Sequence, residues 1–210
     1  MLIRSKKELS FYLKADMMMN RGYFKKSLVQ RVKNLASPDY VMDYLCAMRK
    51  YNYFKQKSIC LLQMLYYKRQ YLKLGAFLGF SIGDECFEYG LTLMHPGTIV
   101  VGQSNRIGKF ANLNTSTCIV DNGSRIGDFL FMGTGGKIIS HVELGNAAMV
   151  AANAVMGSKN NGLGGGVFAG LPASKIRNAK PWIEENGYET DKKWVERVKA
   201  IEELHSILEL

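Results

Sequence analysis

From Val101 to Met156 the apolar positions recur every six residues. The series runs Val101, Ile107, Leu113 and Ile119, is lengthened by one residue, and resumes at Ile126, Met132, Ile138, Leu144, Val150 and Met156. Eight of its nine steps are six residues long. That period belongs neither to an α-helix nor to an alternating strand. It fits a repeat in which each hexad is a short strand plus a turn, three hexads closing one triangular coil of a parallel β-helix. The apolar residue then points into the prism. The residue after it is often small, as at Gly108, Gly127, Gly133 and Gly145, which lets the backbone round the corner without a Cβ clash.

The flanks have a different grain. Residues 5 to about 78 read as helical. Ser5 followed by Glu8 is a capping-box start leading into Leu9, Phe11, Tyr12 and Leu13, and Asn20-Arg21-Gly22 breaks the pattern. Ser37-Pro38-Asp39 signals a second start, with Ser37 as N-cap and Pro38 at the first helical position. Val41, Tyr44, Leu45 and Met48 follow at helical spacing. A third segment, from about Ile59 to Leu74, is apolar on more than one face, which predicts packing against other helices or another subunit. Gly79 to Gly83 opens the β-helix through an irregular first coil holding Phe87, Tyr89, Gly90, Leu91 and Leu93. After Met156, the Gly- and Asn-rich stretch Gly157 to Gly166 predicts a mobile loop, and Val167 to Pro172 returns to extended structure. Asp191 to Leu208 carries Trp194, Val195, Val198, Ile201, Leu204 and Leu208 as a helical stripe. The chain thus divides into a helical region (1–78), a β-helix (79–180) and a helical tail (181–210).

A length of 210 residues accommodates one repeat domain plus a smaller helical one. No apolar run is long enough to cross a membrane, and Arg4, Lys6 and Lys7 interrupt any signal-peptide pattern at the start. Cys46, Cys60, Cys86 and Cys118 show neither close pairing nor metal spacing. A cytoplasmic protein with reduced thiols and no metal is the simplest expectation. The net charge of +10 is concentrated before Gly79. Such a face is either solvated surface or attracts anionic membrane, a lipid-linked substrate or nucleic acid. No nucleic-acid-binding motif accompanies it, so the expectation is no nucleic acid; solvated surface is the leading reading, and contact with the inner face of a membrane is the alternative.

Three histidines are present. His205 sits on the tail among Glu202, Glu203 and Glu209 and reads as surface. His141 lies within a regular coil between Ser140 and Val142. His95 differs, because it occupies an irregular turn beside Pro96 and Gly97 where the repeat begins. An imidazole is the natural general base for removing a hydroxyl proton; the alternative is a turn histidine packing on its neighbours.

The hexads, the run Gly90-Leu91-Thr92-Leu93-Met94-His95 leading into Ile99-Val100-Val101-Gly102, and the segment Ala169-Gly170-Leu171-Pro172-Ala173-Ser174-Lys175-Ile176 together resemble the serine acetyltransferase branch of the hexapeptide-repeat acyltransferases. The resemblance covers about residues 80–177 and extends more loosely over the helices. The opening Ser5 to Asp16 and the Leu78 to Ile82 junction resemble the sub-group associated with polysaccharide biosynthesis. What the resemblance implies is a left-handed parallel β-helix that transfers acetyl from acetyl-CoA to a hydroxyl. The cofactor would lie in the groove between two β-helices of a homotrimer, which in turn can pair into a dimer of trimers. By the same match His95 is the general base. Gly133, Gly135 and Gly136, with Ala151 and Ala152, lie where pantetheine would approach, and Gly170 and Lys175 lie near the nucleotide end, Lys175 suited to a phosphate.

The departures from that pattern bear on the acceptor. The family's Asp before the catalytic His is Met94 here, and the Asp that orients the His falls at Phe80 or Ser81. Asp84, Glu85 and Glu88 are the acids available to substitute, and a backbone carbonyl is the alternative acceptor of the imidazole proton. The family's Asp-Arg-His-Pro-Lys segment, which reads the serine carboxylate, aligns with Asp121-Asn122-Gly123-Ser124-Arg125. A zwitterion needs paired charges in its pocket. The leading expectation is therefore O-acetylation of a sugar hydroxyl in a surface polysaccharide or its lipid-linked precursor. The alternatives are L-serine O-acetylation, with Arg125 binding the carboxylate, and a catalytically inactive β-helix scaffold.

Overall fold

All ten residues of the hexad series end a strand of two or three residues, and none is more than 6% exposed. The computed structural model describes residues 1–57, 60–185, 187–188 and 192–210. Three sheets of short strands form the walls of a left-handed parallel β-helix of about five turns. The first stacks β1 (Phe80–Ile82), β3 (Ile99–Val101), β6 (Thr117–Ile119), β9 (Lys137–Ile138) and β12 (Val155–Met156). The second stacks β4 (Arg106–Ile107), β7 (Arg125–Ile126) and β10 (Glu143–Leu144). The third stacks β2 (Thr92–Leu93), β5 (Asn112–Leu113), β8 (Phe131–Met132), β11 (Ala148–Val150) and β13 (Gly166–Gly170). In register, Leu93, Leu113, Met132, Val150 and Phe168 lie one above the next inside the prism. The last strand, β14 (Ala173–Arg177), folds back antiparallel on β13 and ends the repeat.

The small residues after the apolar positions serve a different geometry from the one the corner turns suggested. The left-handed conformation falls three residues after the inward residue, on Phe110, Ser116, Phe129, Ala147 and Asn153. Gly133 is glycine for another reason: a Cβ there would stand 2.7 Å from the amide nitrogen of Ala152 in the next coil. Coil-to-coil approach, rather than the corner dihedral, demands it. The one lengthened step leaves the segment Asp121 to Gly123 projecting between β6 and β7, with Gly123 at a φ of 72° and open space around it, while Ser124 is buried.

The helical region begins as the sequence indicates. α1 (Lys6–Arg21) is capped by Ser5, whose hydroxyl accepts from the Glu8 amide, and stops at Gly22 with a φ of 80°. A helix that the apolar spacing did not single out follows, α2 (Leu28–Ala36), closed by a reciprocal capping box between Ser27 and Gln30. The next start is shifted. α3 (Tyr40–Phe54) has Asp39, not Ser37, as its N-cap, because the Asp39 carboxylate accepts from the Met42 amide and also holds Arg21. Ser37 instead closes α2. α4 (Leu61–Leu78) lies on α3 through ring contacts such as Tyr44 with Tyr71 and Phe54 with Tyr67. Its expected start at Ile59 lies outside the described residues, and its other face leaves Leu61, Leu62, Leu65, Tyr66 and Leu72 exposed.

These helices close the first coil. Among the described residues no strand lies beside the outer edge of β2, and α1 supplies the missing partners. Asp16 accepts from the Gly90 and Leu91 amides at 2.8 and 3.0 Å. Asn20 donates to the Leu91 carbonyl and accepts from the Leu93 amide. Arg49, 1% exposed, pairs with Asp16 at 2.8 Å and donates to the carbonyls of Phe87 and Glu88. A bare sheet edge invites pairing with another chain, and this buried network satisfies it internally.

The far end is also tied in. Gly157 to Gly166, read from sequence as a mobile loop, makes a turn at Ser158–Asn160 and then follows the coil below: Gly162 donates to the Glu143 carbonyl, and Asn161 accepts from the Glu143 amide. Buried Asn160 donates to the Ala173 carbonyl. The tail helix α5 (Lys193–Ile207) packs on α1, burying Trp194 and Ile201; its expected start at Asp191 lies outside the described residues.

Candidate functional site

Each coil turns three corners, and the corners are dressed differently. Between the second and third sheets lie Tyr89, Phe110, Phe129 and Ala147. The rings of Tyr89 and Phe110 meet at 5.5 Å, and those of Phe110 and Phe129 at 5.1 Å. α1 and the tail cover this aromatic corner, and the indole of Trp182 donates to the Phe110 carbonyl at 2.7 Å. His205 belongs here. Contrary to the surface reading it is half-buried, its ring 5.0 Å from Phe11 and stacked on Tyr89.

Between the first and second sheets lies a polar corner: Asp84-Glu85, Gln103-Ser104, Asp121 to Ser124, and Ser140-His141. Asp84 binds Lys55 at 2.6 Å and accepts from Asn52; Glu85 binds Lys55 and Arg106. His141 is exposed, with Nδ1 3.1 Å from the Asn122 carbonyl and Nε2 3.8 Å from Glu143, so it underpins the projecting segment. Ser104 donates to Asp121 from both hydroxyl and amide, and these bonds hold the carboxyl below its usual range. Arg125 is exposed, with no partner among the described residues.

Between the third and first sheets lies the corner headed by His95. Register carries Met94 over Asn114, Gly133 and Ala151, and the next positions are Thr115, Thr134 and Ala152. The turns are stitched by Gly135 donating to the Thr115 carbonyl and Asn153 to that of Thr134. His95 is exposed and its ring has no hydrogen-bond partner among the described residues. Below it the surface is small and open: Thr134 and Ala152 are exposed, and Gly170 stands at the same corner in the last coil.

His95 and the cofactor candidates Gly133, Gly135, Gly136, Ala151, Ala152 and Gly170 thus share one edge of the prism. Their roles within the chain differ. Gly133, Gly135 and Gly136 are buried, and a Cβ on any of them would strike the same or the next coil, as with Gly135 against Asn153 at 2.2 Å. Ala152 and Gly170 face outward. Lys175 stands opposite Phe168, and its stem lies over Gly166, at the other end of β13 from Gly170. Nothing in the sequence singles out Lys137, a cation exposed on β9, whose ammonium donates to the Gly135 carbonyl at 3.0 Å. The hexad pattern marked only the residue after it, Ile138.

None of the proposed substitute acids serves His95. Asp84 and Glu85 turn the polar corner, and Glu88, half-buried beside Tyr89 and His205, lies at the aromatic one, where burial raises its pKa. Met94 packs toward the aromatic cluster, Phe80 is buried against Tyr44, and Ser81 faces out from the first sheet. The projecting Asp121 to Arg125 segment and His95 lie at opposite ends of the first sheet, so they do not meet within one chain. Two thiols are also unsuited to nucleophilic work: burial pushes Cys86 up to about 12 and Cys46 up to about 11.

Solved structures similar to this fold include serine acetyltransferases. The enzyme from Brucella abortus strain S19 superposes with a TM-score of 0.60 at 15% identity, over 82% of this chain and 69% of that one. A serine acetyltransferase in complex with CoA gives 0.59 at 17% identity over 81% and 69%. The Neisseria gonorrhoeae enzyme gives 0.58 at 15% over 84% and 70%. No protein-family model and no curated protein matches the sequence. At these identities the likeness is one of fold.

Proposed function

We propose that the chain is an acetyl-CoA-dependent O-acetyltransferase with His95 as general base. The observation that carries this is the histidine corner: an exposed imidazole with no hydrogen-bond partner among the described residues, at the head of a column of small residues. His141 and His205 are both engaged elsewhere. The imidazole takes the proton of an acceptor hydroxyl while the oxygen attacks the thioester carbonyl. The tetrahedral intermediate collapses with loss of the CoA thiolate, which recovers a proton from the imidazolium. Holding both substrates against one edge supplies much of the acceleration. Thr134, Ala152 and Gly170 leave room for the pantetheine arm, and Lys137 is the cation at that edge for its phosphates, whereas Lys175 stands at the other end of β13.

The acceptor we favour is a sugar hydroxyl of a surface polysaccharide or its precursor. Met94 turns away from His95 and no carboxylate among the described residues adjoins the ring, so none of them balances an ammonium group in the chain's own corner. The second reading is L-serine, favoured by the fold shared with serine acetyltransferases and by the unpartnered Arg125. A trimer in which a second copy set its 121–125 segment beside His95 would reconcile either reading with their separation within one chain.

The test is CoA release by purified protein with L-serine or a panel of sugars and oligosaccharides, beside His95→Ala. Loss of general-base catalysis lowers turnover by about 10²–10⁴-fold, with the melting temperature unchanged because the ring is exposed. Turnover with serine alone overturns the sugar assignment. Full activity in His95→Ala overturns the mechanism, and no acetyl-CoA binding at all leaves the scaffold reading. Sedimentation velocity reads the trimer directly.

A further inference from the structure

We propose that α2 is a membrane-surface anchor that rests on bilayers containing anionic lipid. Residues 22–38 carry four basic side chains, Lys25, Lys26, Arg31 and Lys33, and no acidic one. The stretch is an excursion between α1 and α3 whose base is clamped by Arg21, bound to both oxygens of Asp39 at 2.7 and 2.6 Å. None of α2 is fully buried, and Leu28, Val29, Val32 and Leu35 are 77%, 63%, 60% and 85% exposed.

The orientation of the helix is fixed from below. At about 100° per residue these four side chains and Ala36 share one arc, with Arg31 and Lys33 at its two edges. Gln30 and Asn34 fall on the opposite side and are the two half-buried residues of α2. Asn34 accepts from the Asp39 amide at 3.1 Å and from Lys26 at 3.3 Å. The protein therefore grips the polar side and presents the apolar one. At the N-terminal end, Lys25, Lys26, Ser27, Leu28 and Arg31 line an open hollow of about 390 Å³.

A bilayer satisfies both parts of this surface. The apolar arc enters the acyl boundary while the flanking cations reach lipid phosphates, each basic residue adding to the attraction of an anionic surface. A second copy of the same face fits poorly, because a symmetric contact sets these cations against each other with no acid in the segment to offset them. The anchor is independent of which hydroxyl is acetylated: vesicle binding is read without acetyl-CoA, and turnover on a soluble acceptor is read without vesicles.

The experiment is flotation of the full chain with vesicles of phosphatidylcholine alone or mixed with phosphatidylglycerol, without substrates. The expected result is partitioning to the mixed vesicles about a hundredfold stronger than to the neutral ones. Lys25→Gln/Lys26→Gln/Arg31→Gln removes most of that preference, and Val32→Asp/Leu35→Asp abolishes binding to both. Melting temperatures stay unchanged, since all five positions lie outside the core. Equal partitioning to both vesicle types, or binding that survives Val32→Asp/Leu35→Asp, overturns the proposal. So does a fall in oligomeric mass of Val32→Asp/Leu35→Asp measured without lipid, which would mean that another copy covers the arc.

Discussion

The aromatic corner and the histidine corner are turned by the same strands of the third sheet, at opposite ends. Entering the sheet, the chain passes Tyr89, Phe110 and Phe129, buried or half-buried under α1, α5 and Trp182. Leaving it, the chain passes His95, Thr115, Thr134 and Ala152, small or polar and, apart from half-buried Thr115, exposed. The inward residues between them, Leu93, Leu113, Met132 and Val150, are alike and fully buried. The repeat therefore holds both edges at the same spacing, and dressing alone decides which becomes structural and which stays open to a ligand. A rigid column presenting a bare edge is well suited to a long, thin substrate, because the edge needs no rearrangement to bind it.

The sharpest way to break the contrast is at the covered side, where Asp16 joins α1 to the first coil. Asp16→Ala leaves Arg49 buried without its ion partner and the Gly90 and Leu91 amides without an acceptor. Removing one member of such a pair costs about 3–5 kcal/mol, measured by urea unfolding. Phe129→Ala in the aromatic ladder is expected to cost about 2 kcal/mol, below the range for a fully buried phenylalanine because the ring is half-buried. At the open corner the pattern reverses. Ala152→Trp is expected to change stability by no more than about 0.5 kcal/mol while weakening CoA binding at least about tenfold, as read by calorimetry; equal affinity would move the ligand to another edge.

The smallest effect concerns the base of α2. Burial acts to raise the Asp39 pKa, but the hydrogen bond and charge of Arg21 outweigh it and hold the carboxyl below its ordinary value. A carboxyl lowered on folding contributes stability above its unfolded pKa of about 3.9 and loses it as pH falls through the folded value. Asp39→Asn is therefore expected to be less stable than the parent near neutrality by no more than about 1 kcal/mol for a partly exposed pair. The gap in melting temperature between the two closes as the pH is brought below the carboxylate range.

How much of this was legible beforehand follows from the range of the interactions. The hexads spelled out the prism because every inward position obeys one local rule, and Ser5, Gly22 and Gly79 marked helix ends through contacts a few residues long. The start of α3 was misplaced by two residues because Asp39 is fixed by Arg21, 18 positions away. The Ser27-Gln30 box was readable, but a helix with no buried face leaves no core pattern to find. His95 stood out by its irregular turn, whereas the substitute acids did not belong to its corner: sequence distance says nothing about which of three edges a residue turns.

The sequence by itself determined the repeat, its inward residues, the helical character of both flanks and the histidine worth testing, because each depends on period or on a local capping rule. The tertiary structure alone decided that Asp16 and Arg49 form the joint between helices and β-helix, that His205 is a packing residue and that Lys137 stands at the open corner. It also set His95 and the 121–125 segment at opposite ends of one sheet. Those assignments depend on which coil lies over which, and stacking brings together residues whose spacing in the chain carries no mark of it.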